Sequence, residues 1–280
     1  MTLPQRVSAL PPFRLAIVAT LVAQALDFAE VFPRPWGPVL AATTLALAFT
    51  RTLWHSASVW ALVALVDLGP ILTRPLFLPN HHFLTFYVAL MLALAGTIPP
   101  RAAAVAAHNA RLIVAAVMGL AAAQKVLAPG YIDYMGYMTA TGGFGEPVVV
   151  HLDLLASALG RNSAEAARFL VGPPTDSATL SLRVPGSFGV FATAVAGLVV
   201  AFEMYLAVMV LARPRSAAFH LGLVGFLALL GFIRTEFIFL CVLTALGLLL
   251  TSDRPTRWRW AYVLLLVAAA PLAIVRLAAR

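Results

Sequence analysis

The chain is a succession of apolar runs, each close to the length of one membrane crossing, and few folds accommodate that pattern. A hydrocarbon core of ~30 Å is spanned by about twenty apolar residues in a helix. Backbone groups inside lipid must be satisfied within a helix or a closed barrel. Runs fall near 13–32, 37–52, 56–73, 82–98, 108–127, 187–211, 216–232, 235–251 and 258–277. Several are short or interrupted, so the sequence predicts an all-α integral membrane protein, a polytopic bundle of 8 to 9 transmembrane helices. Composition agrees: 62% of residues are hydrophobic and 11% charged, against about a quarter charged in soluble domains.

The formal net charge is +8, but the arginines stand singly between apolar runs. Without basic blocks or interleaved exposed aromatics, nucleic-acid binding is excluded as the reading. The basic excess instead fits membrane topology and contact with lipid headgroups. With the N-terminus cytoplasmic, one side collects Arg6, Arg14, Arg51, Arg101, Arg213, Arg215, Arg254, Arg257 and Arg259, and the short opposite connections hold Arg34, Arg74 and Arg234. We therefore expect a multi-pass protein of the cell membrane with a cytoplasmic N-terminus and a retained first span. Cys241 is the only cysteine and lies in an apolar run, which suits a small packing residue.

Connections are brief and marked by Pro or Gly, as in "PRPWGP" and "IPPR". The exception is 128–186, long and polar, which the topology places outside. Within it Pro147 can open one short helix stopped at Gly160. Asn162 with Glu165 three residues on can cap a second, ending at Gly172. The whole chain reads as one transmembrane domain with this single long loop.

An ionisable side chain inside a span costs a few kcal/mol or more and faces the protein interior or a water-filled cavity. Such residues are the functional candidates: Asp27, Glu30, Asp67, His81, His82, His108, Arg111, Lys125, Glu203, His220, Arg234 and Glu236. Asp27 and Glu30 are three apart and share a helix face. They read either as an acid/base or cation-binding pair or as a structural pair with Arg34. Asp67 reads as a structural partner for Arg111 or another buried arginine. No two histidines have the i, i+4 spacing of a helical zinc site, and adjacent His81 and His82 diverge by about 100° on a helix. No metal is predicted. No Walker loop, dinucleotide fingerprint or nucleophile elbow is present.

Lys125 is the only lysine beside eighteen arginines, at the end of "RLIVAAVMGLAAAQKVLA". Two readings stand. Near a helix end its stem can snorkel to the headgroups. Alternatively, the small residues of its helix permit close packing, which would enclose the amine as a base or Schiff-base nucleophile.

Three stretches in order bear on that choice: "PNHHFLTFYVALMLAL", then "AAAQKVLAPGY", then "FEMYLAVMVLARPRSAAFHLGLVGFLALLGF". This succession resembles the transmembrane core of vitamin K-dependent γ-carboxylases and the wider HTTM family. It combines an Asn-His-x-aromatic-Leu helix start, a helix ending in lysine, a Glu-bearing helix, a basic loop and a Phe-His helix. The resemblance covers roughly 10–255 and departs from the family pattern at Phe83, often tyrosine, and Gln124, lysine in some members. It implies that Lys125 is the base that deprotonates a vitamin K-like hydroquinone, with Asn80 and His81 beside the quinone. By the same carry-over His220 is a further cavity histidine and Glu203 a buried family acid, with Arg215 as a partner. Tyr131, first of the tyrosines in "YIDYMGYM", then reads as a residue at the quinone's outer mouth.

The 59-residue outer loop is smaller than the domain that presents peptide in the carboxylases, so we expect a quinone-linked core chemistry short of full glutamate carboxylation. Its class would be a carboxylase-like lyase or an oxygenase, with a lipid, a lipophilic small molecule or a short peptide as second substrate. The alternative is a non-catalytic HTTM-type protein that binds lipid or supports maturation or export of a partner peptide. A small transporter using Asp27, Glu30 and Asp67 as a relay ranks third.

Overall fold

The computed structural model describes residues 11–47, 49–128, 130–131, 162, 188–231, 236–251 and 256–278. The predicted long loop with two short helices lies outside them, apart from Ala128, Gly130, Tyr131 and Asn162. Among the described residues all regular structure is helical. The α-helices are α1 Pro12–Val31, α2 Trp36–Leu47, α3 Ala57–Thr73, α4 Asn80–Gly96, α5 Ala102–Leu127, α6 Phe188–Ala212, α7 Ala217–Leu229, α8 Phe237–Leu249 and α9 Thr256–Ala278. Each apolar run of the sequence is one of these helices. Among the described residues three stretches are long and apolar enough to cross a membrane: Pro12–Val31, Pro99–Leu127 and Val190–Ala212. Helices α2, α3, α7 and α8 are apolar but shorter.

The helix ends follow local chemistry. Pro12 opens α1, where a missing N–H costs nothing. Ser56 caps α3 through the Val59 amide, and Ser216 caps α7 through the Phe219 amide at 3.1 Å. Two arginines cap helix C-termini from a distance. Arg74 Nη2 donates to the Val31 carbonyl at the end of α1. Arg111 Nε donates to the Val210 carbonyl at 3.1 Å, and its Nη2 to that of Leu211, at the end of α6. A cation there meets the negative end of the helix dipole and orphan carbonyls. Arg111 is thus committed to α6 rather than to Asp67, correcting the pairing expected from the sequence.

Helix α8 is enclosed by its neighbours, with Leu240 through Leu249 all buried. It packs most extensively on α1, while α1 also packs on α2, α3 on α4, and α5 on α6. Helix α5 buries Ala102, Ala106, Ala110, Val114, Met118 and Ala122, one row of mostly small residues at every fourth position. Such a row forms a shallow ridge that lets a partner helix approach closely. Its other faces expose Leu112, Leu120 and Leu127, as α6 exposes Val190, Leu198 and Val208. An apolar exterior around an apolar interior is compatible with lipid as the surrounding solvent.

The contact of α8 with α9 depends on Gly247. A Cβ there would stand 2.7 Å from two ring carbons of Tyr262 and 2.9 Å from its hydroxyl. Tyr262 is fully buried and its hydroxyl lies 3.0 Å from His220 Nδ1. Gly247→Val is therefore expected to push Tyr262 off His220 and to cost about 1–3 kcal/mol by overpacking. A thermal melt of the detergent-solubilised variant reads this; an unchanged midpoint would show that the ring moves freely.

Candidate functional site

Two buried polar assemblies stand out, and each draws on helices far apart in sequence. The first is built on a polar row of α1. Thr20, Gln24 and Asp27 recur at spacings of four and three, so they share one face, and all three are buried. Thr20 is satisfied within α1, its hydroxyl donating to the Ala16 carbonyl at 2.9 Å. The other two reach across to α3 and α4. Gln24 Nε2 donates to Asp67 Oδ1 at 2.6 Å. Asp27 Oδ2 lies 2.6 Å from His82 Nδ1 and accepts from the Thr85 hydroxyl at 3.2 Å. His82 Nε2 lies 3.0 Å from the main-chain oxygen of Asp67.

That oxygen can only accept, so Nε2 carries a hydrogen. Nδ1 and Asp27 Oδ2 then share one proton across their 2.6 Å contact. Gln24, Asp27, Asp67, His82 and Thr85 each have a relative exposure of 0%. His81 Nε2 approaches Asp27 Oδ1 at 3.6 Å from the rim, with its side chain 15% exposed.

The second assembly joins α5 to α6. Lys125 Nζ donates to both Glu203 carboxylate oxygens at 2.7 Å and lies 3.4 Å from the Ala121 carbonyl. Lys125 is near the end of α5, where its own helix suggests snorkelling. Glu203, however, is fifteen residues from the start of α6 and nine from its end, or ~22 Å and ~14 Å at about 1.5 Å rise per residue. The lysine therefore spends its reach on a carboxylate within the interior length of α6, not on a headgroup. Small residues permit this: a Cβ on Gly119 would sit 3.8 Å from that of Ala207. The Glu203 side chain is 6% exposed and that of Lys125 22%, so one edge of the pair is reachable. The Tyr131 ring centroid lies 6.0 Å from Nζ, within the outer range of a cation–π contact.

The residues singled out from sequence thus divide between settings. Lys125, Glu203 and Tyr131 come together. His81 belongs to the rim of the Asp27 assembly, and Asn80 is exposed as the first residue of α4. His220 is fully buried with Tyr262 at 3.0 Å, and its ring stacks on Trp258 at 5.4 Å. Lys125 is a partner of Glu203 that the sequence reading did not pair with it. Of the Asp27 and Glu30 pair, Asp27 is buried and Glu30 exposed. Sequence reasoning passed over Gln24, and it ranked His82 behind His81. The signal available was facial: Gln24 with Asp27 on α1, and His82 with Thr85 on α4, each three apart and polar within an apolar helix. Comparison with known proteins finds no matching family model, no similar curated protein and no similar solved structure.

Proposed function

We propose that this is a multi-pass protein of the cell membrane, its N-terminus cytoplasmic, that carries out quinone-linked proton chemistry at Lys125 and Glu203. The bundle resembles the core of vitamin K-dependent γ-carboxylases and the HTTM family in the order of its motifs, and its substrate is a lipophilic hydroquinone entering from the bilayer. The observation that carries the reading is the contact of the Lys125 ammonium with both oxygens of buried Glu203 at 2.7 Å.

A base must first be free of its own proton. Lys125 passes that proton to Glu203 across the contact, leaving an amine beside a carboxylic acid. The amine then takes the hydroquinone hydroxyl proton, and the products are an ammonium, a neutral Glu203 and a hydroquinone monoanion. One proton has moved from hydroquinone to Glu203, and the ammonium is left as counter-charge to the new anion. A developing charge held next to a fixed opposite charge in a water-poor site is the usual source of such catalysis. The Tyr131 ring supplies a flat apolar surface for a quinone. Oxygenation of the anion and attack on a lipophilic or peptide second substrate follow from the family resemblance.

The test uses protein purified into nanodiscs with vitamin K hydroquinone and oxygen, reading oxidised quinone products by mass spectrometry. Wild type is expected to consume hydroquinone above the protein-free rate, and Lys125→Ala and Lys125→Arg, assayed below their unfolding temperatures, to lose at least tenfold. Absence of turnover in wild type, or full turnover in folded Lys125→Ala, would overturn the reading.

A further inference from the structure

From the geometry around Asp27 we infer a binding site for one divalent first-row transition-metal ion, held by Asp27 and Asp67 carboxylate oxygens, His82 Nδ1 and the Gln24 amide oxygen. The sequence did not suggest it, because these ligands come from three helices and not from one helical repeat. One ligand atom from each of Asp27, Asp67 and His82 lies within 4.8 Å of the others. Ligands ~2.0–2.2 Å from a shared ion stand roughly 3–4 Å apart, so small side-chain torsions close the set.

Three observations point to a cation. The first concerns acceptors. Gln24 Oε1, Asp27 Oδ1 and Asp67 Oδ2 are buried oxygens that accept no hydrogen bond among the described residues, His81 Nε2 standing 3.6 Å from Asp27 Oδ1. Gln24 is not acidic, yet its fully buried amide is fixed at the cluster by the 2.6 Å bond to Asp67. Unsatisfied buried acceptors each carry a desolvation penalty, and these three belong to side chains of one bonded, buried cluster.

The second is charge. The carboxyl groups of Asp27 and Asp67 are brought within 4.8 Å of each other and of His82 in a wholly buried site, and groups of this kind inside an apolar bundle are stable when they are paired or coordinate a metal.

The third is the second contact of the histidine. His82 Nε2 donates to the Asp67 main-chain oxygen at 3.0 Å. A metal-bound imidazole is typically held this way through its other nitrogen, which fixes the tautomer and aims the ligand nitrogen. An imidazole together with carboxylate and amide oxygens selects a transition ion over calcium or magnesium, which prefer all-oxygen shells.

The experiment treats the full chain in detergent with chelator, desalts it, and titrates Zn²⁺ and Mn²⁺ separately, reading bound metal by elemental analysis after gel filtration. Wild type is expected to retain one ion per chain. Asp67→Asn and His82→Gln are expected to bind at least tenfold more weakly, and His108→Gln, which removes an exposed imidazole, to bind as wild type. Co²⁺ bound to wild type is expected to show visible d–d absorption that His82→Gln lacks. If the cluster variants do not fold, the thermal midpoint of wild type decides: a saturable one-site rise with metal supports the site, and no rise overturns it. Stoichiometric binding unchanged in folded Asp67→Asn and His82→Gln, or none in wild type, also overturns it.

Discussion

Lys125→Ala is expected to destabilise the protein by about 3–5 kcal/mol, because it removes the cation that bonds both oxygens of the buried Glu203 carboxylate. Glu203 is 6% exposed on its side chain and its two oxygens both bond Lys125 Nζ. The double replacement Lys125→Met with Glu203→Met is expected to lie within about 1 kcal/mol of wild type, since well-packed apolar side chains often match a buried ion pair in stability. Thermal or denaturant unfolding in one detergent compares the three proteins. Equal loss in the single and double variants would show that packing, not charge, holds α5 to α6. The double variant also separates architecture from chemistry. Folded but unable to consume hydroquinone, it supports the proposed role of the pair; folded and fully active, it removes that role.

Replacing His82 with Ala is expected to have an effect of similar size, again about 3–5 kcal/mol, through the loss of a buried group that bridges acceptors of α1 and α3. The ring is fully buried, with Asp27 Oδ2 at 2.6 Å and the Asp67 main-chain oxygen at 3.0 Å. Its removal opens a cavity and takes the imidazole contact away from both oxygens. Against a total stability of about 5–15 kcal/mol, the expected result is a protein that fails to stay monodisperse near physiological temperature. His81→Ala, one residue away, is expected to cost under about 1 kcal/mol, as its ring is partly exposed and only 3.6 Å from Asp27 Oδ1. Gel filtration after a temperature ramp distinguishes the two. A reversed order would mean that the rim histidine, not the enclosed one, organises the cluster.

Neighbouring histidines differ this much because of helix geometry. Successive residues point about 100° apart, so one ring enters the interface of α4 with α1 and α3 while the other lies at its edge. Nothing in "NHHFL" ranks them. The same limit applies to Asp67, which a chain-level reading matched with Arg111. An arginine that long was equally able to reach helix-end carbonyls, and the structure uses it there.

The sequence by itself determined that its apolar runs become helices, where several begin and end, and which polar side chains lie inside them. Those outcomes rest on bonds between residues four apart, on caps such as Ser56 and Ser216, and on a nearly uniform apolar composition. Only the tertiary structure decided which polar groups meet. Gln24 and Asp67 are 43 residues apart, Asp27 and His82 are 55, and Lys125 and Glu203 are 78. No periodicity in the chain reports on such distances. They are set by which helix faces pack, and the small residues of α5 let a lysine at one helix's end reach a glutamate within the length of another.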